Sequence, residues 1–380
     1  MKHLLTPKVK LALLISIGVI MFSSCKKEKT LSTAKMPFAA IDSVVQGVVD
    51  TAKFNGNVLV AKDGKIIYQR SIGFANYDTH ALLNDSSVFE LASVSKQFTA
   101  MAIMMLKEQG KLSYDDEIRK YLPEIRYKGI TIRHFLTHTS GIPDYMAEFE
   151  RYGYPPHIAF NDDIIILLKK NKPATHFPPG KGWEYSNTAY ALLASIIERV
   201  SGKAYGDFLA ANIFEPLEMH HTRIYNTRRT KKDIIRNYAY GFVYSDKLRR
   251  YVPPDSLQEF SFVIKLDGIQ GDGVVNSTTG DLFKWDQALY TEKLVKKTTL
   301  EEAFTSVVAN DTTRNYGFGW GITQDPLNGK VVRHSGGWPG YATHIRRFID
   351  HNDCIIVLTN NDGAGLGSLC DALSKKLGTL

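Results

Sequence analysis

The two ends of this chain share one character and the middle has another. Near the start, "GNVLVAK" and "KIIYQRSIG" are β-rich runs joined by Asp63-Gly64, a pair that favours a two-residue hairpin because both positions tolerate positive φ. Near the end, "YGFGWGIT", "KVVRH" after the turn-forming Pro326 to Gly329, "YATHIRRFI" and "CIIVLTNN" read as three or four more strands, and "LGSLCDALSKKL" as a closing helix. Between these ends the period is helical. Ser95 to Gln109 is apolar nearly all round and stops at Gly110, which describes a helix buried on every side. "DDIIILLKK" and "NTAYALLASIIERVSG" are further helices, the second closing at Ser201-Gly202. The simplest assembly is an α/β (α+β) fold: an antiparallel sheet built from both chain ends, flanked by helices, with a mostly helical subdomain inserted. The expected division is 37–105 with 267–380 for the α/β part and 106–266 for the insert. Arg228 to Leu266 has no readable period.

The first residues read as an export signal. Lys2, Lys8 and Lys10 precede "LALLISIGVIMF", an apolar run too short to span a bilayer comfortably, and the run ends in small residues before Cys25. A secretory signal whose cleavage point abuts a cysteine resembles the bacterial lipoprotein pattern, which would make Cys25 the lipidated first residue of the mature chain. Residues 1–24 are then the signal and 25–36 a linker, with Thr30 to Met36 polar and the folded part beginning near Pro37. Cleavage removes three lysines and no acid, so the formal charge drops from +8 to +5. That balance does not point to nucleic acid, and "KKEK" reads as a solvated spacer near the membrane surface. Only Cys354 and Cys370 remain, too few for a disulfide scaffold and without metal-ligand spacing. Cys354 opens an apolar strand and reads as a buried thiol.

The chemistry begins at "LASVSKQFTA". Ser93 and Lys96 are three apart at a helix start, so their side chains share the first turn. Desolvation disfavours the charged form of a lysine and turns it into a proton acceptor, and a serine hydroxyl beside such a base is an activated nucleophile. Alone, S-x-x-K is a weak signal: Ser24 to Lys27 and Ser32 to Lys35 match it too, and a serine in Ser93's place is often an N-cap. Its company strengthens it. "EYSN" places Tyr185 and Asn187 just before a helix, where the phenol could relay a proton and the amide could hold a substrate amide, although Asn187 could simply cap that helix. "RHSGGWPG" ends a strand in two glycines, whose bare backbone lets the strand edge approach a ligand and the Gly337 N–H point at a developing oxyanion. An ordinary glycine turn would look the same.

Three motifs in the order S-x-x-K, Y-x-N and H-S-G, each in a fitting helix or strand context, carry far more than any one. The chain resembles the serine β-lactamase and penicillin-binding family, marked by the related S-x-x-K, S-D-N and K-T-G set; it is closest to the class C and D-alanyl-D-alanine carboxypeptidase branch, where the second motif is Y-x-N. The resemblance runs from about Phe54 to the C-terminus and includes "LTHTSGIPDY", "PPGKGWEYSNTAYALLA" and "GDGVVNSTTGDLFKW". It implies an acyl-enzyme hydrolase with Ser93 as nucleophile, Lys96 and Tyr185 sharing its proton, and Asn187, His334, Ser335 and Gly336 facing the substrate. The backbone N–H groups of Ser93 and Gly337 would form the oxyanion hole. One position departs from the family pattern: His334 stands where the lactamases usually have lysine. If His334 must be protonated to hold an anionic substrate, activity on such substrates falls as pH rises through its pKa.

The implied substrates are cell-wall D-amino-acid peptides first and small esters second, with no cofactor and no metal. A β-lactamase is the alternative within the class. A catalytically silent penicillin-recognition module acting as a sensor is the alternative from another class, and the complete catalytic set argues against it. His134 and His138, four apart, could face one metal but have no third ligand nearby in sequence. His220-His221 reads as a surface pair, and "GAGLG" at 363–367 as a loop before a helix, since it lacks dinucleotide-binding spacing. No G-x-S-x-G occurs, which removes the usual mark of an α/β-hydrolase elbow.

Overall fold

The computed structural model describes residues 29–224, 235–307, 315–363 and 365–380. Six strands form its main sheet: β1 (Gly56–Lys62), β2 (Lys65–Ile72), β3 (Gly321–Asp325), β4 (Gly329–Trp338), β5 (Tyr341–Phe348) and β6 (Asp353–Thr359). They lie in the order β3-β4-β5-β6-β1-β2, every neighbouring pair antiparallel. Pairing of β1 with β6, from Gly56 opposite Thr359 to Ala61 opposite Cys354, joins the two ends of the chain as their composition predicts. The β1–β2 turn is Asp63-Gly64, with φ of 49° and 68°.

Among the described residues, seven helices of eight residues or more are numbered α1 (Lys29–Ala52), α2 (Lys96–Glu108), α3 (Tyr145–Tyr152), α4 (Asn161–Asn171), α5 (Asn187–Ser201), α6 (Thr279–Ala288) and α7 (Leu366–Leu377). One core holds Ile41 and Val45 of α1 and Leu369 and Leu373 of α7 against Val58, Val60, Ile355 and Val357. The other holds α2 and α5 against Leu59, Ala61, Cys354, Ile356 and Leu358. Alternate residues of β6 thus enter different cores, which is why "CIIVLT" shows no polar alternation.

Two expectations need correction. Thr30 to Met36 is not a linker: α1 runs through it and through Pro37. The polar composition there hid a helix whose visible anchor, Ile41 and Val45 one turn apart, lies further along. The strand expected from Tyr316 begins at Gly321, because Tyr316 to Trp320 turns instead, with Gly317 N–H donating to the Trp320 carbonyl and Gly319 at φ 78°. In the stretch without a readable period, Val243–Ser245 pairs with Arg250–Val252, and three short helical turns lie between Pro254 and Lys265. Cys354 and Cys370 are buried and free, and His220 and His221 are exposed. Gly363 and Gly365, both at positive φ, precede α7, which already takes in Leu366 and Gly367 of the stretch expected to be a loop.

Candidate active site

Ser93 lies in a tight 3-10 turn, Ala92–Ser95, that feeds directly into α2. The turn is tied down from two sides. Leu91 N–H donates to the Val275 carbonyl at 2.8 Å, and the Thr343 hydroxyl of β5 donates to the Leu91 carbonyl at 2.7 Å. Ala92, next to Ser93, is held at φ 47°, a left-handed conformation that costs an alanine on the order of 1 kcal/mol and persists only where the surroundings impose it. Ser93 caps nothing; the N-cap position of α2 is Ser95, whose hydroxyl accepts the Val275 N–H.

Lys96 is fully buried, and its ammonium nitrogen meets three oxygens: Ser93 Oγ at 3.1 Å, Asn187 Oδ1 at 2.9 Å and the Asp272 carbonyl at 2.7 Å. These partners suit two protonation states. An ammonium donates to all three, whereas a neutral amine donates to Asn187 and Asp272 and presents its lone pair to the Ser93 O–H. Helix capping by Asn187 is not its role, because Ser186 is the N-cap of α5 and accepts from Ala189 N–H. Asn187 is instead fixed by Asp144, whose Oδ2 accepts from both its backbone and side-chain N–H groups at 3.0 and 3.1 Å. Asp272 is buried, which pushes its carboxyl pKa upward against the pull of Lys96 and of the Tyr145 hydroxyl, which donates to it at 2.9 Å. Tyr185 places its ring 4.8 Å from Lys96 Nζ, and its buried hydroxyl has no hydrogen-bond partner among the described residues.

From His334 onward β4 has a partner on one side only, since pairing with β3 ends at Arg333 and pairing with β5 continues to Trp338. The two glycines in that stretch differ. A Cβ on Gly336 would lie 2.2 Å from the Leu91 carbonyl oxygen and 2.4 Å from Thr343 Oγ1, so Gly336 is needed for strand and serine turn to touch. A Cβ on Gly337 would meet nothing within 4 Å. Gly336 therefore faces the turn rather than a ligand, and Gly337 faces open space. Ser93 and Tyr185 stand between two cavities. One, about 290 Å³, is walled by Met146, Val263, Leu266, Ile269 and Trp338 with Asp272 at its side; the other, about 400 Å³, is bounded by Tyr316, His334 and Ser335.

His334 departs from the charge the sequence left open to it. Its Nδ1 is 2.8 Å from the Ser335 carbonyl and its Nε2 2.7 Å from the Tyr316 hydroxyl. This fixes the neutral tautomer with the proton on Nδ1 and Tyr316 donating to Nε2. Burial, and next the charge of Lys96, push its pKa down to about 3. It cannot hold a substrate carboxylate as a cation at neutral pH. The pH profiles of kcat/KM for an anionic and a neutral substrate are accordingly expected to run parallel between about pH 5 and 8, and a ratio that falls through a single ionisation near 6.5 would contradict this assignment. Stability has the opposite sensitivity. His344 is likewise pushed down to about 3, mainly by burial, while an unfolded histidine titrates near 6.5. Between those values the unfolded chain binds protons that the folded chain refuses. This contribution to stability is therefore full above about pH 6.5 and is lost as pH falls towards 3, which urea midpoints of wild type and His344→Gln at pH 7 and pH 4.5 would register.

Ser93, Lys96, Tyr185, Asn187 and His334 thus converge from segments up to 241 positions apart. Asp144, Asp272 and Tyr316, which carried no role in the sequence reading, join them, as does His138, which was weighed there only as a metal ligand. Asp144 and Asp272 lie in "LTHTSGIPDY" and "GDGVVNSTTG", whose likeness to the family was visible although nothing local revealed that both support Asn187 and Lys96. His134 and His138 do not share a ligand position: His134 Nδ1 accepts the Thr131 N–H and His138 Nδ1 the Ser186 N–H.

A serine on a strained turn, a buried lysine against its hydroxyl and two cavities at their side are the arrangement of a serine hydrolase. The model of the family described as Beta-lactamase matches residues 41–374, and the chain belongs to that family. It is 48% identical over 311 residues to penicillin-binding protein 4* of Bacillus subtilis, covering 82% of this chain and 69% of that protein. Among solved structures, a penicillin-binding protein from Bacillus halodurans superposes with a TM-score of 0.76 at 26% identity, covering 88% of this chain and 98% of its own. An octameric penicillin-binding protein homologue from Pyrococcus abyssi does so with a TM-score of 0.75 at 27% identity, covering 89% and 76%.

Proposed function

We propose that this hydrolase is exported and cleaves amide or ester bonds through an acyl-enzyme, with D-amino-acid peptides of the peptidoglycan type as the first substrate class and small esters as the second. The observation that carries the reading is the 3.1 Å contact between Lys96 Nζ and Ser93 Oγ at a fully buried lysine. Ser93 Oγ attacks the carbonyl carbon and its proton passes to Lys96, with Tyr185 as the neighbouring relay. The N–H groups of Ser93 and Gly337 receive the oxyanion, and the leaving nitrogen or oxygen departs with the proton. Water then attacks the ester carbonyl, returns a proton to Ser93 and frees the acid. The penicillin-binding names of the relatives support the cell-wall class, and the cavity beside Ser93 offers an aliphatic acyl side chain the apolar walls of Val263, Leu266, Ile269 and Trp338.

The test is release of free D-alanine from a peptide ending in D-alanyl-D-alanine, run beside p-nitrophenyl acetate and a penicillin. Peptide turnover supports the proposal, ester turnover alone moves the substrate class to esters, and rapid penicillin hydrolysis makes the chain a β-lactamase. Export and anchoring rest on residues 1–28, which lie outside the described residues. Among the described residues, no helix is long and apolar enough to cross a membrane. Labelled palmitate is expected to enter the protein in bacterial cells and to be lost in Cys25→Ala; equal labelling of both would remove the lipid anchor.

A further inference from the structure

His138 is a buried imidazole beside the site for which the acyl-transfer scheme has no use. It follows the short helix Ile132–Leu136, sits at φ 60° and is fully buried. Its backbone carbonyl accepts the Glu184 N–H at 3.0 Å, and its Nδ1 accepts the Ser186 N–H at 3.1 Å. The residue between those two donors is Tyr185, whose ring lies 4.3 Å from the imidazole, centre to centre, at a tilt of 37°. One residue therefore pins Tyr185 on both sides along the chain and supports its ring. The other wall of this aromatic box is Tyr190 and Tyr316, at 5.1 and 4.6 Å from the same imidazole, and Tyr316 reaches on to His334.

We propose that His138 is a positioning residue for Tyr185, setting through its Nδ1 and its ring where the phenol stands relative to Ser93 and Lys96. The neutral tautomer follows from the geometry. Nδ1 accepts a backbone N–H, so the proton is on Nε2, which has no conventional acceptor among the described residues and faces aromatic rings. The groups facing this ring are Trp183, Tyr185, Tyr190 and Tyr316, with Lys96 and His334 as nearby basic groups. Burial first, then Lys96 and His334, hold the imidazole uncharged well below its usual range. A fixed neutral ring keeps both the acceptor and the tyrosine's position unchanged across the working pH.

This inference rests on the reading that Tyr185 relays the serine proton, so Tyr185→Phe is the control for that reading. Asparagine can place Oδ1 where Nδ1 stands and tolerates positive φ, whereas phenylalanine keeps a ring but leaves the Ser186 N–H without its acceptor. With p-nitrophenyl acetate, His138→Phe is expected to lower kcat on the order of 10²-fold, KM staying within about threefold, and to shift the alkaline limb of the kcat profile. His138→Asn is expected to recover activity to within about tenfold of wild type. Acting through Tyr185 also means that Tyr185→Phe with His138→Phe is no slower than Tyr185→Phe alone. A folded His138→Phe with wild-type kcat and pH profile overturns the inference, as does a double variant whose losses multiply. Should His138→Phe not fold, a folded His138→Ala with wild-type kcat has the same force. If Tyr185→Phe itself keeps full activity, it is the relay reading that fails.

Discussion

Ser93→Ala is expected to lower turnover of p-nitrophenyl acetate on the order of 10⁴-fold or more while leaving the thermal midpoint close to wild type. The size follows from the chemistry: without Oγ no acyl-enzyme forms, and only binding and oxyanion stabilisation by backbone groups remain. The intact fold follows from the surroundings. Ser93 is only half-buried, and its hydroxyl is one of three acceptors for Lys96, so the variant leaves Asn187 and the Asp272 carbonyl in place. Turnover that survives the substitution would mean that serine and lysine are structural and that the chain is a scaffold or binding module of its family.

The second large effect belongs to Lys96. Lys96→Met keeps most of the buried volume and removes the amine, so kcat is expected to fall on the order of 10²-fold or more with a smaller change in KM, as loss of a general base does. Stability changes as well, because the Asn187 oxygen and the buried Asp272 carbonyl lose their donor, and leaving the buried carbonyl without one costs roughly 1–3 kcal/mol. Activity and the urea midpoint must therefore be read together. A folded Lys96→Met with near-wild-type kcat would sink the base assignment and leave Tyr185 as the proton acceptor.

Which parts of this molecule could be read in advance follows from how local their causes are. The β1–β2 hairpin was visible because Asp63-Gly64 has positive φ built into it, and α2 because Gln97 to Leu106 carries no charge. The union of both chain ends in one sheet followed from composition alone, since strands buried on both faces cannot hide their apolar runs. Other features have distant causes. The carbonyl that receives Lys96 lies 176 residues away, and Asp272 shows no local pattern beyond two flanking glycines. His334 carried a conventional pKa in the sequence and lost it to burial and then to the charge of Lys96. The start of α1 misled in the other direction, because a polar stretch continued as helix ahead of its first apolar anchor.

The most direct test of the acyl-enzyme is the intact mass of the mature domain after brief exposure to a penicillin, with Ser93→Ala measured alongside. The expected result is a penicilloyl mass increase that maps to the peptide carrying Ser93 and disappears in the variant. An adduct on another residue, or one that persists in Ser93→Ala, would contradict the assignment of the nucleophile on which the mechanism depends.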